Sequence, residues 1–187
     1  MDVGETLYVT DREEWRKWLE KYFDRKDEIW LIFPNKSSAL DRIPYNDAVE
    51  EALCFGWIDS IIKSLDENRS VQRFSPRRSK SSYSQPNKER LAWLLNEEKI
   101  HPSIRAAAEE AVKEKFMFPP DIIEAIKSNR AAWTNYRKFS PAYQRIRVAY
   151  IDSARSRPEE FDKRLVSFIK NCEQNKQVGF GGIEKYY

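Results

Sequence analysis

The chain has 187 residues, of which 34% are charged and 41% hydrophobic, and it has enough aromatic residues to fill a core. This composition excludes a largely disordered chain. No apolar run approaches about 18 residues, which excludes a membrane span. The two cysteines lie far apart in apolar helical patterns, and the first residues lack the basic start and apolar run of a signal peptide. We therefore expect a reduced, cytoplasmic protein.

The charge is distributed unevenly along the chain. Residues 1–70 hold 10 basic and 16 acidic side chains, whereas residues 71–187 hold 23 and 14. Within the second part, residues 71–90 carry six basic side chains against one acidic, and residues 130–157 carry seven against one. If these two stretches meet in the fold, they form one positive surface that attracts phosphates, nucleic acid or acidic proteins. The alternative is two separate solvated faces.

The first half of the chain combines helical and strand-like patterns. Thr10 and Glu13 form a capping box, and apolar residues then recur at helical spacing as far as Phe23. Residues 29–33 are β-branched or aromatic and predict a buried strand. A second helix follows Pro44 and ends at Gly56, a residue suited to a left-handed cap. Two further β-like runs, 57–62 and 71–75, flank a turn-rich segment and predict a hairpin that joins the same sheet.

The second half of the chain reads as helical. Six helices are predicted, over residues 86–97, 102–115, 120–128, 130–138, 141–154 and 158–174, and five of them have a proline in the first turn. We expect an α+β fold with a small antiparallel sheet and flanking helices in residues 1–85. A helical lobe, residues 86–177, is expected to pack on it within one compact domain, followed by a flexible tail at 178–187.

Several catalytic and cofactor-binding motifs are missing from the sequence. His101 is the only histidine, and no Ser, Cys or Asp stands at the spacing of a known Ser-His-Asp or Cys-His family. The chain has no CxxC, HExxH or EF-hand pattern, and its five glycines cannot assemble a phosphate loop or a dinucleotide fingerprint. We expect no metal and no cofactor.

The segment FSPRRSKSSYSQPN, residues 74–87, is the clearest candidate binding site. Arginine binds phosphate or carboxylate through two parallel N–H groups, serine hydroxyls add donors, and a helix starting near Pro86 offers unpaired N–H groups. Tyr83 is placed to stack on a base or ring. The predicted anion-binding set is Arg73, Arg77, Arg78, Lys80, Ser82, Tyr83, Ser84 and Asn87, with Trp57 and Asp59 shaping its floor. The alternative is a surface loop whose arginines pair with the acidic N-terminal helix.

Asp59 and the aromatic residues each have two interpretations. Asp59 stands among apolar neighbours, where a carboxylate can serve as an acid or base, or it can accept backbone hydrogen bonds or pair with Arg73 or Arg77. Trp57 is either core or platform. In residues 130–157 the helical spacing sends most aromatic side chains inward, so nucleic-acid recognition is only weakly supported there.

The strings ALCFGWID and RFSPRR, followed by serine and Asn87 before a helix, resemble the YdeI-like or OmpD-associated family, also labelled bacteriocin-protection proteins. The segment YIDSARSRPEEFDKRL is similar to the final segment of that family, and the resemblance extends over about residues 15–168. The chain departs from the family pattern at Ser60, at Tyr83, and around Pro158 and Glu159. The resemblance implies a small bacterial cytoplasmic protein, linked by name to bacteriocin or envelope-stress tolerance, and implies neither a reaction nor a cofactor.

Three functions remain open from the sequence. The leading hypothesis is a non-enzymatic module that binds a phosphate- or carboxylate-bearing small molecule or an acidic protein surface. The second is an enzyme in which Asp59 is the acid or base while Arg77 and Arg78 hold an anionic substrate. The third is a scaffold or nucleic-acid-associated protein in which the basic loop is clamped onto the acidic N-terminal helix.

Overall fold

A computed structural model describes residues 2–35, 37–78, 81–179 and 184–186. Within these ranges the strands are β1 (Thr6–Leu7), β2 (Ile29–Pro34), β3 (Trp57–Ser64) and β4 (Arg69–Pro76). The helices are α1 (Arg12–Tyr22), α2 (Tyr45–Cys54), α3 (Gln85–Asn96), α4 (Pro102–Lys113), α5 (Pro120–Lys127), α6 (Arg130–Tyr136), α7 (Pro141–Asp152) and α8 (Pro158–Glu173), with a 3-10 helix at Glu184–Tyr186. The expected α+β fold is confirmed, with the sheet in the N-terminal part and helices after it.

The chain divides into two compact units. The sheet unit comprises Met1–Tyr83 and Arg90–Val112, and the helical unit comprises Ser84–Glu89 and Lys113–Tyr187. Helix α3 therefore begins in the helical unit and continues into the sheet unit. Among the described residues, no helix combines the length and the hydrophobicity that a bilayer crossing requires.

The sheet has the strand order β1-β2-β4-β3. Strands β3 and β4 form the predicted antiparallel hairpin, and β4 also pairs antiparallel with β2, with Ile29 opposite Phe74 and Leu31 opposite Gln72. Strand β1 pairs parallel with β2 and was not predicted, because two residues are too short to show a strand period. The register of β3 against β4 shifts between Asp59 and Ile62, which marks a bulge in the edge strand.

The core of the sheet unit forms where α1 and α2 cover one face of the sheet. Trp15 and Leu19 of α1 are fully buried, and the indole nitrogen of Trp15 donates to the carbonyl oxygen of Ala48 in α2 at 3.0 Å. The same Trp15 ring meets Phe74 of β4 edge to face, with ring centroids 5.5 Å apart. Aromatic side chains therefore fill this core, as the composition predicts.

Helix α1 begins one residue later than the predicted capping box. Asp11 is the N-cap, and its carboxylate accepts from the backbone N–H groups of Glu13 and Glu14 at 2.8 and 3.0 Å. The side chain of Glu14 reaches back to the N–H and hydroxyl of Thr10. The box at Thr10 and Glu13 is thus wrong by one position, because Asp11 is an equally good cap that lies closer to the apolar face.

Helix α2 ends at Cys54, two residues before the predicted Gly56, whose φ of 72° lies in the left-handed region. A Cβ atom at this position would lie 2.9 Å from Cδ1 of Ile104. Both the backbone angle and the close approach of α4 therefore favour glycine here.

The helical unit has its own core. It is built from buried side chains of α5 to α8, among them Ile122, Ile126, Tyr143 and Phe168. Asn129 and Ser140 cap α6 and α7 by accepting backbone hydrogen bonds, and prolines open α5, α7 and α8. Val178 packs against this core, where its backbone N–H donates to the Tyr143 hydroxyl at 2.7 Å.

Candidate anion-binding site

The arginine-rich segment begins where β4 ends. The backbone N–H of Arg77 donates to the carbonyl oxygen of Gly56 at 2.9 Å, which ties the segment to the turn between α2 and β3. Ser81 then turns back on Arg78, since both its N–H and its hydroxyl donate to the Arg78 carbonyl oxygen, at 3.1 and 2.9 Å. Lys80, which the sequence assigned to the site, lies outside the described residues. The start of the segment is therefore fixed by main-chain hydrogen bonds.

Arg77 rests on an aromatic ring. Its guanidinium carbon lies 3.5 Å from the centroid of the Tyr83 ring, and its Nη2 donates to the carbonyl oxygen of Ser81. Tyr83 is half-buried and packs against the core of the sheet unit. Burial raises the pKa of Tyr83, and the neighbouring Arg77 charge opposes that rise. The ring is thus a neutral platform on which the Arg77 cation sits.

Arg78 is exposed. Within the part of the chain that the structure describes, neither Arg77 nor Arg78 forms an ion pair with a carboxylate. Of the predicted binding residues, Arg77 and Arg78 are therefore the two whose positive charge is not neutralised by a carboxylate in the described ranges.

Arg73 differs from its two neighbours. Its Nε donates to the Glu28 carboxylate at 2.6 Å, and the indole nitrogen of Trp30 donates to the other oxygen of Glu28 at 3.0 Å. The hydrogen bond from Arg73 is the first cause of a lowered pKa at Glu28. Arg73 is therefore engaged across the β2–β4 pair and is not open to an external anion.

Trp57 belongs to the core. It is 1% exposed, its indole nitrogen donates to the carbonyl oxygen of Phe23 at 3.0 Å, and its ring meets Trp18 edge to face. A side chain so enclosed has no surface to offer a ligand. Its contribution to the neighbouring segment is to anchor the start of β3.

Asp59 is the centre of a polar cluster on β3. One carboxylate oxygen of Asp59 accepts from the Tyr45 hydroxyl at 2.7 Å and from the Gln72 side-chain amide at 2.8 Å. The pKa of Tyr45 is raised, first by burial and then by this hydrogen bond. Asp59 therefore links α2, β3 and β4, and it pairs with neither Arg73 nor Arg77 within the described ranges. Sequence reasoning missed Tyr45 and Gln72, although an inward-facing glutamine in a strand is a recognisable polar exception.

The remaining members of the predicted set divide between the two units. Ser82 is exposed in the sheet unit, whereas Ser84 and Asn87 belong to the helical unit. The Ser84 carbonyl oxygen accepts from the N–H of Lys88 at 3.0 Å in the first turn of α3, and Lys88 in turn pairs with Glu114 at 2.6 Å.

Two buried carboxylates of α2 in the N-terminal part are neutralised by arginines of α1. Glu51 of α2 accepts from Arg12 at 2.6 and 2.8 Å and from Arg16 at 2.8 Å, and Glu50 accepts from Arg12 at 3.1 Å. The side chains of Glu50 and Glu51 are almost completely buried. The predicted alternative, in which the basic loop pairs with the N-terminal helix, has no counterpart among the described residues, because neither Arg77 nor Arg78 forms an ion pair with a carboxylate there.

Two of the seven cations in the basic stretch at residues 130–157, Arg145 and Arg155, form ion pairs with carboxylates of the described residues. Arg145 binds Glu89 with two hydrogen bonds at 2.7 and 2.9 Å. Arg155 pairs with Asp121 and Asp152 at 2.9 and 2.7 Å. Tyr143 is buried, in agreement with the predicted inward aromatic face. The local excess of basic residues therefore overstates the free positive charge.

The fold and the site define an α+β protein whose sheet unit carries, just after β4, two arginines that have no ion-pair partner among the described residues. Comparison with family models then gives the family: the chain belongs to the family described as domain of unknown function DUF8412, whose model matches residues 7–107. Residues 115–175 match the model described as "Bacteriocin-protection, YdeI or OmpD-Associated", which confirms the resemblance noted in the sequence. The ALCFGWID and RFSPRR motifs lie in the first match, and YIDSARSRPEEFDKRL lies in the second. Neither the curated proteins nor the solved structures gave a significant match.

Proposed function

We propose that the segment following β4 binds an anionic ligand, a phosphate- or carboxylate-bearing molecule, through Arg77 and Arg78. The observation that carries this proposal is the absence of a carboxylate partner for either guanidinium among the described residues. An arginine pair next to a fixed main-chain turn is a common way to hold such a group.

The other described cations of residues 71–90 are already engaged, which supports this assignment. Arg73 is paired with Glu28, Lys88 with Glu114, and Arg90 is buried and donates to the Asn46 side chain at 2.9 Å. Lys80 lies outside the described residues. After these are set aside, the basic excess that the sequence shows reduces to Arg77 and Arg78.

The geometry of Arg77 also favours binding. Because its guanidinium lies on the half-buried Tyr83 ring, it loses less conformational freedom when a ligand binds than an arginine extended into solvent. A guanidinium whose face lies on a ring keeps its N–H groups free at its edge, and these can donate hydrogen bonds to a carboxylate or phosphate. Arg78, which is exposed, adds a second charge close by in the chain.

The function proposed is that of a binding module in a bacterial cytoplasm, and the match to the bacteriocin-protection model lies at residues 115–175, outside the binding segment. The alternative of an enzyme using Asp59 has less support, because the hydrogen bonds from Tyr45 and Gln72 already hold that carboxylate as an acceptor. Asp59 then acts in the fold, by positioning β3 next to the binding segment.

The test is the double charge reversal Arg77→Glu with Arg78→Glu. Binding of inorganic phosphate, inorganic pyrophosphate and a short oligothymidylate is measured by isothermal titration calorimetry at several salt concentrations. We expect the wild-type protein to bind at least one of them with an affinity that falls steeply as salt rises, and the variant to lose that binding. Preference for the oligothymidylate over pyrophosphate would assign the site to nucleic acid.

The matched control is Lys17→Glu with Arg25→Glu, which changes the charge by the same amount at two exposed positions of the sheet unit. It should retain binding. If both double variants weaken binding equally, the effect is one of overall charge and the site is refuted. If the Arg77 and Arg78 variant lowers the melting temperature and leaves binding unchanged, the segment has a scaffolding role instead.

A further inference from the structure

A buried arginine of the helical unit also lacks a carboxylate partner among the described residues. Arg147 of α7 is only 5% exposed, and its Nε has no hydrogen-bond partner in the described ranges. Its guanidinium carbon lies 5.6 Å from the Tyr143 ring centroid and 5.8 Å from that of Tyr150. No carboxylate of the described residues forms an ion pair with it. Buried charges are normally paired, so an unpaired one indicates a site that awaits an opposite charge.

Arg147 lines an open pocket of the helical unit with a volume of about 320 Å³. Tyr150 and Ile151 of α7 and Phe168 of α8 supply apolar walls, and Val178 closes part of the rim. The volume is at the lower end of the range for small-molecule sites. The pocket therefore combines a cationic floor with apolar sides.

The other charges around the pocket leave it positive. Arg164 is neutralised by Glu160 at 2.7 Å and also donates to the carbonyl oxygen of Tyr150 at 2.8 Å. Lys163 is exposed, and no carboxylate of the described residues lies within ion-pair distance of it. Glu160 also lines the pocket, and its pKa is lowered first by the hydrogen bond from Arg164 and further by the Lys163 charge. The lining therefore has three cations, Arg147, Lys163 and Arg164, against one carboxylate among the described residues.

The main chain also approaches the buried guanidinium closely. A Cβ atom at Gly179 would lie 3.0 Å from the Arg147 guanidinium carbon and from one of its terminal nitrogens. A side chain at this position would therefore displace the Arg147 guanidinium, which lines the pocket.

We propose that this pocket binds a small organic oxyanion, a carboxylate or phosphate attached to an apolar body. The oxyanion accepts hydrogen bonds from the Arg147 guanidinium, with Lys163 adding charge at the rim, and the apolar body lies between Tyr150 and Phe168. Its residues belong to the helical unit, whereas Arg77 and Arg78 belong to the sheet unit.

The experiment follows the arginine Nε–H signals of the full chain by ¹H–¹⁵N NMR, during titration with benzoate, phenyl phosphate and inorganic phosphate. The Arg147→Met variant assigns the Arg147 signal. We expect at least one organic probe to shift that signal at concentrations up to about 10 mM, where ligands of about ten heavy atoms bind. We expect inorganic phosphate to bind more weakly, because it has no apolar body. The relative affinities of benzoate and phenyl phosphate distinguish a carboxylate from a phosphate ligand.

Three variants test the assignment by the dissociation constant of the tighter organic probe. Arg147→Met should raise it roughly 10- to 100-fold, as expected for loss of a charged hydrogen-bonding group. Lys163→Ala should raise it about two- to fivefold, as expected for an exposed charge pair, whereas Lys170→Ala, on the same helix but outside the pocket, should leave it unchanged. Gly179→Ala should weaken binding without any change of charge.

Lys163→Ala and Gly179→Ala keep the proposal testable if Arg147→Met does not fold. Absence of any shift of the Arg147 signal by either organic probe overturns it, as does equal weakening by Lys163→Ala and Lys170→Ala. Equal affinity for inorganic phosphate and phenyl phosphate would refute the role of the apolar walls. The Arg77→Glu, Arg78→Glu variant should leave these shifts intact, so failure of the proposed function and failure of this site can be distinguished.

Discussion

The contact between α1 and α2 contains a cluster of ion pairs around a buried carboxylate, and it allows a quantitative test. Glu51 accepts three hydrogen bonds from Arg12 and Arg16, at 2.6, 2.8 and 2.8 Å, and its side chain is 3% exposed. The Arg16 side chain is 31% exposed and also donates to the carbonyl oxygen of Lys99 at 3.0 Å. Burial is the largest single effect and lowers the pKa of Arg16, but the hydrogen bond to Glu51, the Glu51 charge and the contact with Cys54 together outweigh it, so the net direction is upward.

The perturbation is a double-mutant cycle of Arg16→Met and Glu51→Gln. Glutamine preserves the oxygen that accepts from Arg12, but it places an amide NH₂ where Arg16 now donates. Breaking a buried ion pair costs about 3–5 kcal/mol, and exposed pairs contribute about 0.2–1 kcal/mol. Because Glu51 is buried and Arg16 is about one-third exposed, we expect Glu51→Gln to cost about 3 kcal/mol. The coupling energy of the cycle should be about 1.5–2.5 kcal/mol.

The assay is urea unfolding followed by tryptophan fluorescence. Five of the six tryptophans, at positions 15, 18, 30, 57 and 93, lie in the sheet unit, so the signal mainly reports unfolding of that unit. A loss of 3 kcal/mol corresponds to a fall of roughly 6–12 °C in the melting temperature for a chain of this size. Lys17→Met, an exposed change on the same helix, is the control. A coupling energy below about 0.5 kcal/mol would refute the reasoning, since it would give this pair the energy of a surface contact.

Two further predictions follow from local geometry. Gly56→Ala should lower the free energy of unfolding, measured by urea unfolding, by about 1–2 kcal/mol, because alanine is strained in the left-handed region. If the 2.9 Å approach to Ile104 contributes to this loss, Ile104→Val in the Gly56→Ala background should recover part of it. If nothing is recovered, the backbone conformation is the whole cause. Burial raises the pKa of the thiols of Cys54 and Cys172 to about 12, so both should resist a thiol-specific reagent at pH 8 until the chain unfolds. Because these folded-state pKa values lie above that of a free thiol, the contribution of the two thiols to the free energy of unfolding is complete below about pH 8.5 and is lost as the pH rises from there toward 12. Replacement of both cysteines by alanine should flatten the decline of the free energy of unfolding over this alkaline range. An unchanged decline would contradict the assignment.

Much of the fold could be predicted from local sequence patterns. The hairpin of β3 and β4, the end of α2 near Gly56 and the prolines that open α5, α7 and α8 each depend on a few neighbouring residues, and each was predicted within about two residues. Strand β1 was not predicted, because a two-residue strand exists only through its partner β2. The capping residue of α1 was misplaced by one, because Thr10 and Asp11 are both suitable caps.

The candidate site depended far more on the tertiary structure. Composition alone indicated a basic segment, but it did not show which arginines are neutralised. Arg73 forms an ion pair with Glu28, whereas Arg77, four residues later, lies on the ring of Tyr83. The burial of Arg147 was equally invisible in a helix rich in cations. The sequence by itself determined where helices, strands and positive charge occur, because these depend on short-range propensity and on counting. Only the tertiary structure decided which charges remain uncompensated, because a carboxylate neutralises a guanidinium a few ångströms away in space, whatever their separation along the chain.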